Sequence, residues 1–205
     1  MIKNILFDMG GVLLDFDPKK FVARLGLDAA DSAVLEREIF RSAEWVSLDR
    51  GSVTEEEAFA SMCARIPERL HGAAREVFDN WDKPRLPLDN IYETVRELSE
   101  KGYGLYLFSN AGKRHAEYWP DLPVAKYFGD RLMVSAWYQL LKPEAAFFET
   151  GFGRFGLDRR ECVFIDDLAV NVEGASRVGL DGVVYYGDVP LLRQRLREKG
   201  VALDE

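Results

Sequence analysis

The chain predicts an α/β protein: a doubly wound, Rossmann-like parallel sheet, interrupted after its first strand by a small all-helical cap. Three observations carry this reading. Five short runs rich in Ile, Val, Leu, Phe and Tyr are continuously apolar rather than alternating, as in strands covered on both faces. Stretches with helical periodicity separate most of these runs, which calls for parallel strands joined by crossover helices. Between residues 16 and 86 the strand pattern stops and only helical stretches remain.

The first strand is expected at Lys3–Phe7, ending at Asp8 and followed by Gly10 and Gly11. The cap then spans 16–86, leaving 1–15 and 87–205 for the core. Within it, Thr54 and Glu57 have the spacing of a capping box that opens TEEEAFASMCARI. Gly51–Ser52 and the Pro84–Pro87 stretch act as breakers. Asp89 introduces NIYETVRELSEKG, in which Ile91, Val95 and Leu98 share a face before a stop at Gly102. Further strands follow at Tyr103–Phe108, Arg131–Ser135, Cys162–Ile165 and Gly182–Tyr186. Helical stretches at Asn171–Val178 and Leu191–Lys199 close the pattern, the second opening after Pro190.

Bulk properties narrow the function. A chain of 205 residues is long enough to bury a core without staples. A net charge of −8 opposes non-specific nucleic-acid binding, because phosphate backbones would be repelled. A small phosphorylated substrate stays compatible, since a metal and one lysine reverse the sign locally. Cys162 sits in the apolar run ECVFID and reads as a buried reduced thiol, and no metal spacing involves Cys63. The opening MIKNILFDMGG is too short in its apolar run for a secretion signal, and no stretch approaches a membrane span. A cytoplasmic setting is expected. Nothing in the sequence specifies an oligomeric state.

Four strand ends carry reactive polar residues: Asp8, Ser109 with Asn110, Lys142 just before Pro143, and Asp166 with Asp167. An open parallel sheet binds ligands beyond the carboxyl ends of its strands, so these residues are placed to meet in one crevice. Asp8 is a candidate nucleophile toward phosphorus. Gly10 and Gly11 allow a tight turn whose amides face an anion. The adjacent Asp166 and Asp167 repel unless a cation separates them, the logic of a Mg²⁺ site. Ser109 and Asn110 offer a hydroxyl and an amide to a phosphate oxygen. Lys142, read as standing at a helix start, opposes the helix dipole and calls for an anion nearby. Each feature also has a plain structural counterpart: a turn-forming Asp, a helix cap, a strand-end turn, a solvated lysine. Their ordered recurrence is what favours a site.

These four segments resemble the four motifs of the haloacid dehalogenase (HAD) superfamily, over nearly the whole chain. FDMGGVLLDFD, RGSVTEEEAF, LFSNAGKRHAEYW and FIDDLAVNVEGA are most similar to the branch of sugar-1-phosphate phosphatases and epoxide hydrolase N-terminal domains. The resemblance implies a Mg²⁺-dependent phosphatase working through an aspartyl-phosphate. Asp8 would be nucleophile and metal ligand, and Gly10 would offer its carbonyl to the metal. Ser109, Asn110 and Gly11 would hold the phosphate, and Lys142 would balance its charge. Asp167 would bind the metal directly, with Asp166 acting through water or orienting Lys142. Asn171 would support the loop or cap a helix.

One position departs from the pattern. The family usually carries a second aspartate two residues after the nucleophile as general acid–base, and here that residue is Gly10. Loss of such a group typically costs ~10²–10⁴ in rate. A good leaving group, as in a sugar 1-phosphate, would soften the loss. Asp15 and Asp17 are read as hinge residues that could lend a proton, and His115 as a surface helix residue near the mouth. Trp45, Trp81 and Trp119 are read as packing aromatics, with Trp45 also a candidate for the entry. Two alternatives stay open: a catalytically weak phospho-ligand-binding domain, and a metal-independent 2-haloacid dehalogenase, which the acidic pair disfavours.

Overall fold

The computed structural model describes residues 1–83 and 88–204. Among these residues five parallel strands form one sheet in the order β3-β2-β1-β4-β5. They are β1 Asn4–Phe7, β2 Gly104–Ser109, β3 Leu132–Val134, β4 Cys162–Asp166 and β5 Asp181–Val184. Each overlaps an apolar run of the sequence, with ends shifted by a residue or two. In register, Phe7 lies opposite Leu107 on one side and Ile165 on the other, with β4 running one residue further to Asp166 and β2 two further to Ser109. The chain steps outward from β1 in one direction to β2 and β3, then in the other to β4 and β5. That reversal opens a crevice above β1, at the carboxyl edge of the sheet.

Side-chain alternation explains why the runs are apolar throughout. Ile5, Phe7, Leu105, Leu107, Val163 and Ile165 face one layer. Leu6, Phe108, Cys162 and Phe164 face the other. The first layer is covered by α6 (Asp89–Glu100) through Ile91, Val95 and Leu98, and by α11 (Val189–Glu198) through Leu192 and Leu196. The second is covered by α9 (Ala145–Phe155) and α10 (Ala169–Arg177), with Phe147, Phe148, Phe152 and Ala175 pointing inward. Both faces are dry, so neither strand face can be polar. α11 starts two residues before the expected Leu191, with the Asp188 side chain accepting from Leu191 N and Pro190 inside its first turn, where a missing amide costs nothing.

The segment after β1 is helical. It contains α1 (Pro18–Ala23), α2 (Ala29–Leu35), a π-helical turn at Glu36–Phe40, α3 (Ala43–Arg50), α4 (Glu55–Cys63) and α5 (His71–Asn80). Thr54 and Glu57 form the expected reciprocal capping box on α4. Its buried side chains, among them Phe21, Leu35, Ile39, Met62 and Phe78, make a cluster of their own. The breaker at Pro84–Pro87, and with it the end of the cap at 86, lies outside the described residues.

The last turn of α3 anchors this segment to the core. Arg50 reaches Glu144 at 2.5 Å, and the Ser135 hydroxyl donates to the Asp49 carbonyl. Ser135 opens α8 (Ser135–Tyr138), the short helix after β3. Gly51 follows α3 with a φ of +73°, and a Cβ there would lie 2.4 Å from the Ala136 carbonyl oxygen. Gly51→Ala therefore meets both backbone strain and a clash with main chain. It should destabilise by more than ~1 kcal/mol and lower Tm by at least ~2–4 °C in a calorimetric melt. An unchanged Tm would show that α3 does not dock on α8 as described.

Candidate active site

Asp8 is the first residue beyond β1, and its amide donates to the Ile165 carbonyl at 2.8 Å, which ties the turn to β4. The chain then folds back on itself, with Leu13 and Leu14 amides donating to the Met9 carbonyl. Gly11 has a φ of +72°, and a Cβ on it would sit 2.4 Å from Asp167 Oδ2. Only glycine lets this loop close against that carboxylate. Gly10 is different. A Cβ there would meet nothing nearer than Phe16 Cβ at 3.5 Å, an ordinary contact. The missing side chain at position 10 is a chemical fact, not a steric necessity.

Lys142 lies between two carboxylates. Its Nζ is 2.7 Å from Asp8 Oδ1 and 2.7 Å from Asp166 Oδ2. All three side chains are buried. α9 begins at Ala145, because Glu144 is extended and serves as the N-cap. Lys142 thus precedes the helix instead of standing at its start, and the two carboxylates, not a helix dipole, define its environment. Asn110 clamps it from the other side: the Lys142 amide donates to Asn110 Oδ1 at 2.8 Å, and Asn110 Nδ2 donates to the Lys142 carbonyl at 3.0 Å. The Asn110 carboxamide is therefore committed to holding the lysine loop, a positioning role the sequence reading did not foresee. Asn171 Nδ2 donates to both Asp166 oxygens at 3.1 Å, and Leu168 N donates to Asp166 Oδ1 at 2.8 Å. With Lys142 on Oδ2, both oxygens of Asp166 are engaged.

The charges are unbalanced. Asp8, Asp166 and Asp167 bring carboxylate oxygens within 4.8 Å of one another, around one ammonium. Burial raises the Asp8 carboxyl to about 7, against the pull of Lys142 and with further push from Asp166 and Asp167. Burial and the Asp166 charge raise Asp167 to about 6. For Lys142, burial works against its charge, but Asp8 and Asp166 outweigh it and hold the ammonium above its ordinary value. This donor set fits a hard divalent cation such as Mg²⁺, which takes oxygen ligands and would relieve the repulsion. Asp8 and Asp167 keep lone pairs for such an ion, whereas those of Asp166 are spent on its neighbours. Ser109 ends β2 with its hydroxyl fully buried and without a hydrogen-bond partner. An orphaned buried hydroxyl is costly unless a ligand satisfies it.

A cavity of about 300 Å³ opens over this floor. Asp8, Gly10, Gly11, Asn110, Lys142 and Asp167 line its base. Phe16, Trp45, Trp81 and Tyr118 form its walls, the two tryptophan rings 5.5 Å apart edge to face. Trp45 thus lines the cavity, while Trp119 is buried in the core against Phe128 at 5.4 Å. Asp15 and Asp17 do not line it; Asp15 pairs with Lys20 at 2.5 Å, and Asp17 caps α1 by accepting from Lys19 N at 3.0 Å. His115 corrects the sequence reading. It opens the single-turn α7 (His115–Tyr118) but is buried, stacked on Trp119 at 5.4 Å, because Tyr118 and Trp119 shield it from water. Burial lowers its imidazole to about 4, so the ring is neutral. The cavity also contains a residue sequence reasoning missed. Asp49, on the last turn of α3, lines it from the cap. An acid late in a helix looks solvated in sequence, and only the docking of α3 turns it inward.

The family model for haloacid dehalogenase-like hydrolases matches residues 2–179. A sesquiterpene phosphatase from Aspergillus oryzae is 24% identical over 182 residues, 88% of each chain. A phosphoglycolate phosphatase from Photorhabdus laumondii is 26% identical over 209 residues, 91% of this chain and 83% of that one. Among solved structures, a HAD family enzyme from Bacteroides thetaiotaomicron, in complex with magnesium and inorganic phosphate, superposes with a TM-score of 0.70. It is 22% identical and the match covers 94% of this chain and 99% of that one, a likeness of fold.

The raised carboxyls give a stability test. In the fold Asp8 and Asp167 hold protons up to about 7 and about 6, where the unfolded chain has already released them. Asp49, likewise raised to about 7, acts in the same direction. Together the three carboxyls outweigh the opposite trend of His115, lowered to about 4. Stability of the metal-free protein therefore falls as pH rises from about 4 toward about 7. Melts across this window should show a declining Tm, and Asp8→Asn should flatten the decline. A wild-type slope left unaltered by that substitution would contradict the electrostatic account.

Proposed function

Since the chain belongs to the haloacid dehalogenase-like hydrolase family, we propose that it is a Mg²⁺-dependent phosphatase of a small phosphorylated metabolite, with Asp8 as nucleophile. The observation that carries this reading is Lys142, buried and 2.7 Å from both Asp8 and Asp166. A lysine so fixed is aimed where the nucleophile meets the charge of an incoming phosphoryl group. Asp8 attacks phosphorus and becomes an aspartyl-phosphate, which water then hydrolyses. The Ser109 hydroxyl, buried without a partner, donates to a phosphoryl oxygen. The Gly11 amide, expected to share that role, is already spent on the Leu14 carbonyl at 2.8 Å, so Gly11 shapes the loop instead. Asn110 acts through the Lys142 backbone. Asp8, Asp167 and the Gly10 carbonyl would hold Mg²⁺, with Asp166 orienting Lys142 behind them. When bound, the ion supplies positive charge to the phosphoryl oxygens. The magnesium and phosphate in the Bacteroides thetaiotaomicron enzyme's complex support this assignment.

The walls bear on the substrate. A sugar 1-phosphate fits the vacancy at Gly10, because its leaving oxygen departs readily. It would, however, bury several hydroxyls against Phe16, Trp45 and Trp81, where among described cap residues only Asp49 is ionisable. The aromatic lining favours a less polar alcohol, and the similarity to a sesquiterpene phosphatase supports that second reading. No described helix is long and apolar enough to cross a membrane. The free thiols Cys63 and Cys162 accord with the cytoplasmic setting inferred from the sequence.

Phosphate release from p-nitrophenyl phosphate, sugar 1-phosphates and an isoprenyl monophosphate tests the proposal. Release should require Mg²⁺, cease with EDTA and fall below detection in Asp8→Asn. Phosphate bound without turnover would favour a binding domain. Metal-independent halide release from 2-haloacids would favour a dehalogenase instead.

A further inference from the structure

Position 10 carries no side chain, yet an alcohol that leaves phosphorus needs a proton. The cap supplies a carboxyl to the same cavity. We propose that Asp49 is the general acid–base of this site, delivered across the domain boundary to stand in for the absent side chain at Gly10. The assignment rests on the phosphatase reading.

Three observations place it. Asp49 lines the cavity whose base is formed by Asp8, Lys142 and Asp167, and it is the cap's one ionisable contribution there among described residues. Its backbone is fastened rather than free: the Ser135 hydroxyl donates to its carbonyl at 2.5 Å, and neighbouring Arg50 is paired with Glu144. The Gly112 amide, on the loop after β2, lies beside it and favours the charged carboxylate. Behind it lies a second cavity of about 30 Å³, lined by both Asp49 and His115. That volume suffices for one water molecule. His115 is buried there with neither ring nitrogen hydrogen-bonded.

The chemistry balances. Asp8 attacks phosphorus, the bond from phosphorus to the alcohol oxygen breaks, and the Asp49 proton passes to that oxygen. The products are a neutral alcohol, the Asp49 carboxylate and the aspartyl-phosphate. Water then attacks phosphorus and gives a proton back to Asp49, while the Asp8 oxygen leaves and inorganic phosphate is released. The groups that surround Asp49 suit both roles. Burial raises its carboxyl to about 7, against the Gly112 amide and the Lys142 charge. Arg114 and Glu55, which also line the smaller cavity, neutralise each other at 2.6 Å, and His115 is uncharged. Asp8 and Asp167 share the larger cavity with it.

The test compares Asp49→Asn with wild type on p-nitrophenyl phosphate and on 2-phenylethyl phosphate. The readout is kcat/KM, which covers only the steps up to departure of the alcohol. A nitrophenolate leaves without protonation, whereas an alkoxide does not. The expected result is a loss of about 10²–10⁴-fold on the alkyl ester and little change on the aryl ester. Gly10→Asp, added to Asp49→Asn, should restore part of the alkyl activity, because position 10 has room for a side chain. Equal losses on both esters would overturn the assignment and leave Asp49 a residue that merely holds the cap. No loss on either would overturn it as well. If wild type releases phosphate from neither ester, the phosphatase reading itself falls and takes the assignment with it.

Discussion

Three carboxylates and one ammonium share a buried crevice, and the fold is organised around that imbalance. Asp8, Asp166 and Asp167 lie within 4.8 Å of one another, and Lys142 can neutralise only part of their charge. Such a group is expensive to bury. Hydrogen bonds from Asn171 and Leu168 fix Asp166, and Asn110 fixes the lysine loop. Under the proposed function, the remaining negative charge is what a divalent cation would neutralise before a phosphoryl group could approach. Preorganised electrostatics of this kind is the usual source of rate enhancement in group transfer.

The sheet and the cap divide the work. The adjacent carboxyl ends of β1, β2 and β4 bring Asp8, Ser109 and Asp166 to one edge of the sheet without long loops. The cap contributes walls rather than base. Phe16, Trp45 and Trp81 pack on one another, with the Phe16–Trp81 and Trp45–Trp81 centroids both 5.5 Å apart, and continue into the cap's own cluster. Under the proposed function, substrate choice would rest on these aromatic walls and the charge chemistry on the base. Arg50 and Gly51 fix the cap to the core at the one turn that also presents Asp49.

Much of this was legible in the sequence, for a physical reason. Strands buried on both faces must be apolar at every position, so NILF and CVFI stand out, and a polar residue closing such a run can only point into the crevice. Local rules were equally visible: the Thr54–Glu57 box and the Pro190 start depend on neighbours in sequence. What sequence could not show depends on distant packing. His115 looked exposed because a short polar stretch surrounds it, yet the folding of Tyr118 and Trp119 over it removes it from water. The Asn110 carboxamide seemed free, and only the approach of the Lys142 loop commits that side chain to the lysine backbone. Asp49 carried no local signal, because its meaning depends on where α3 docks.

The central claim is that Asp8, held against Lys142, becomes covalently phosphorylated during turnover. The direct measurement is to quench a reacting mixture of enzyme, Mg²⁺ and p-nitrophenyl phosphate in acid, reduce any acyl phosphate with borohydride, and map the peptides by mass spectrometry. The account predicts reductive loss of carboxylate oxygen at Asp8 alone. Labelling at Asp166, Asp167 or Asp49, or continued phosphate release with no modified Asp8, would contradict it.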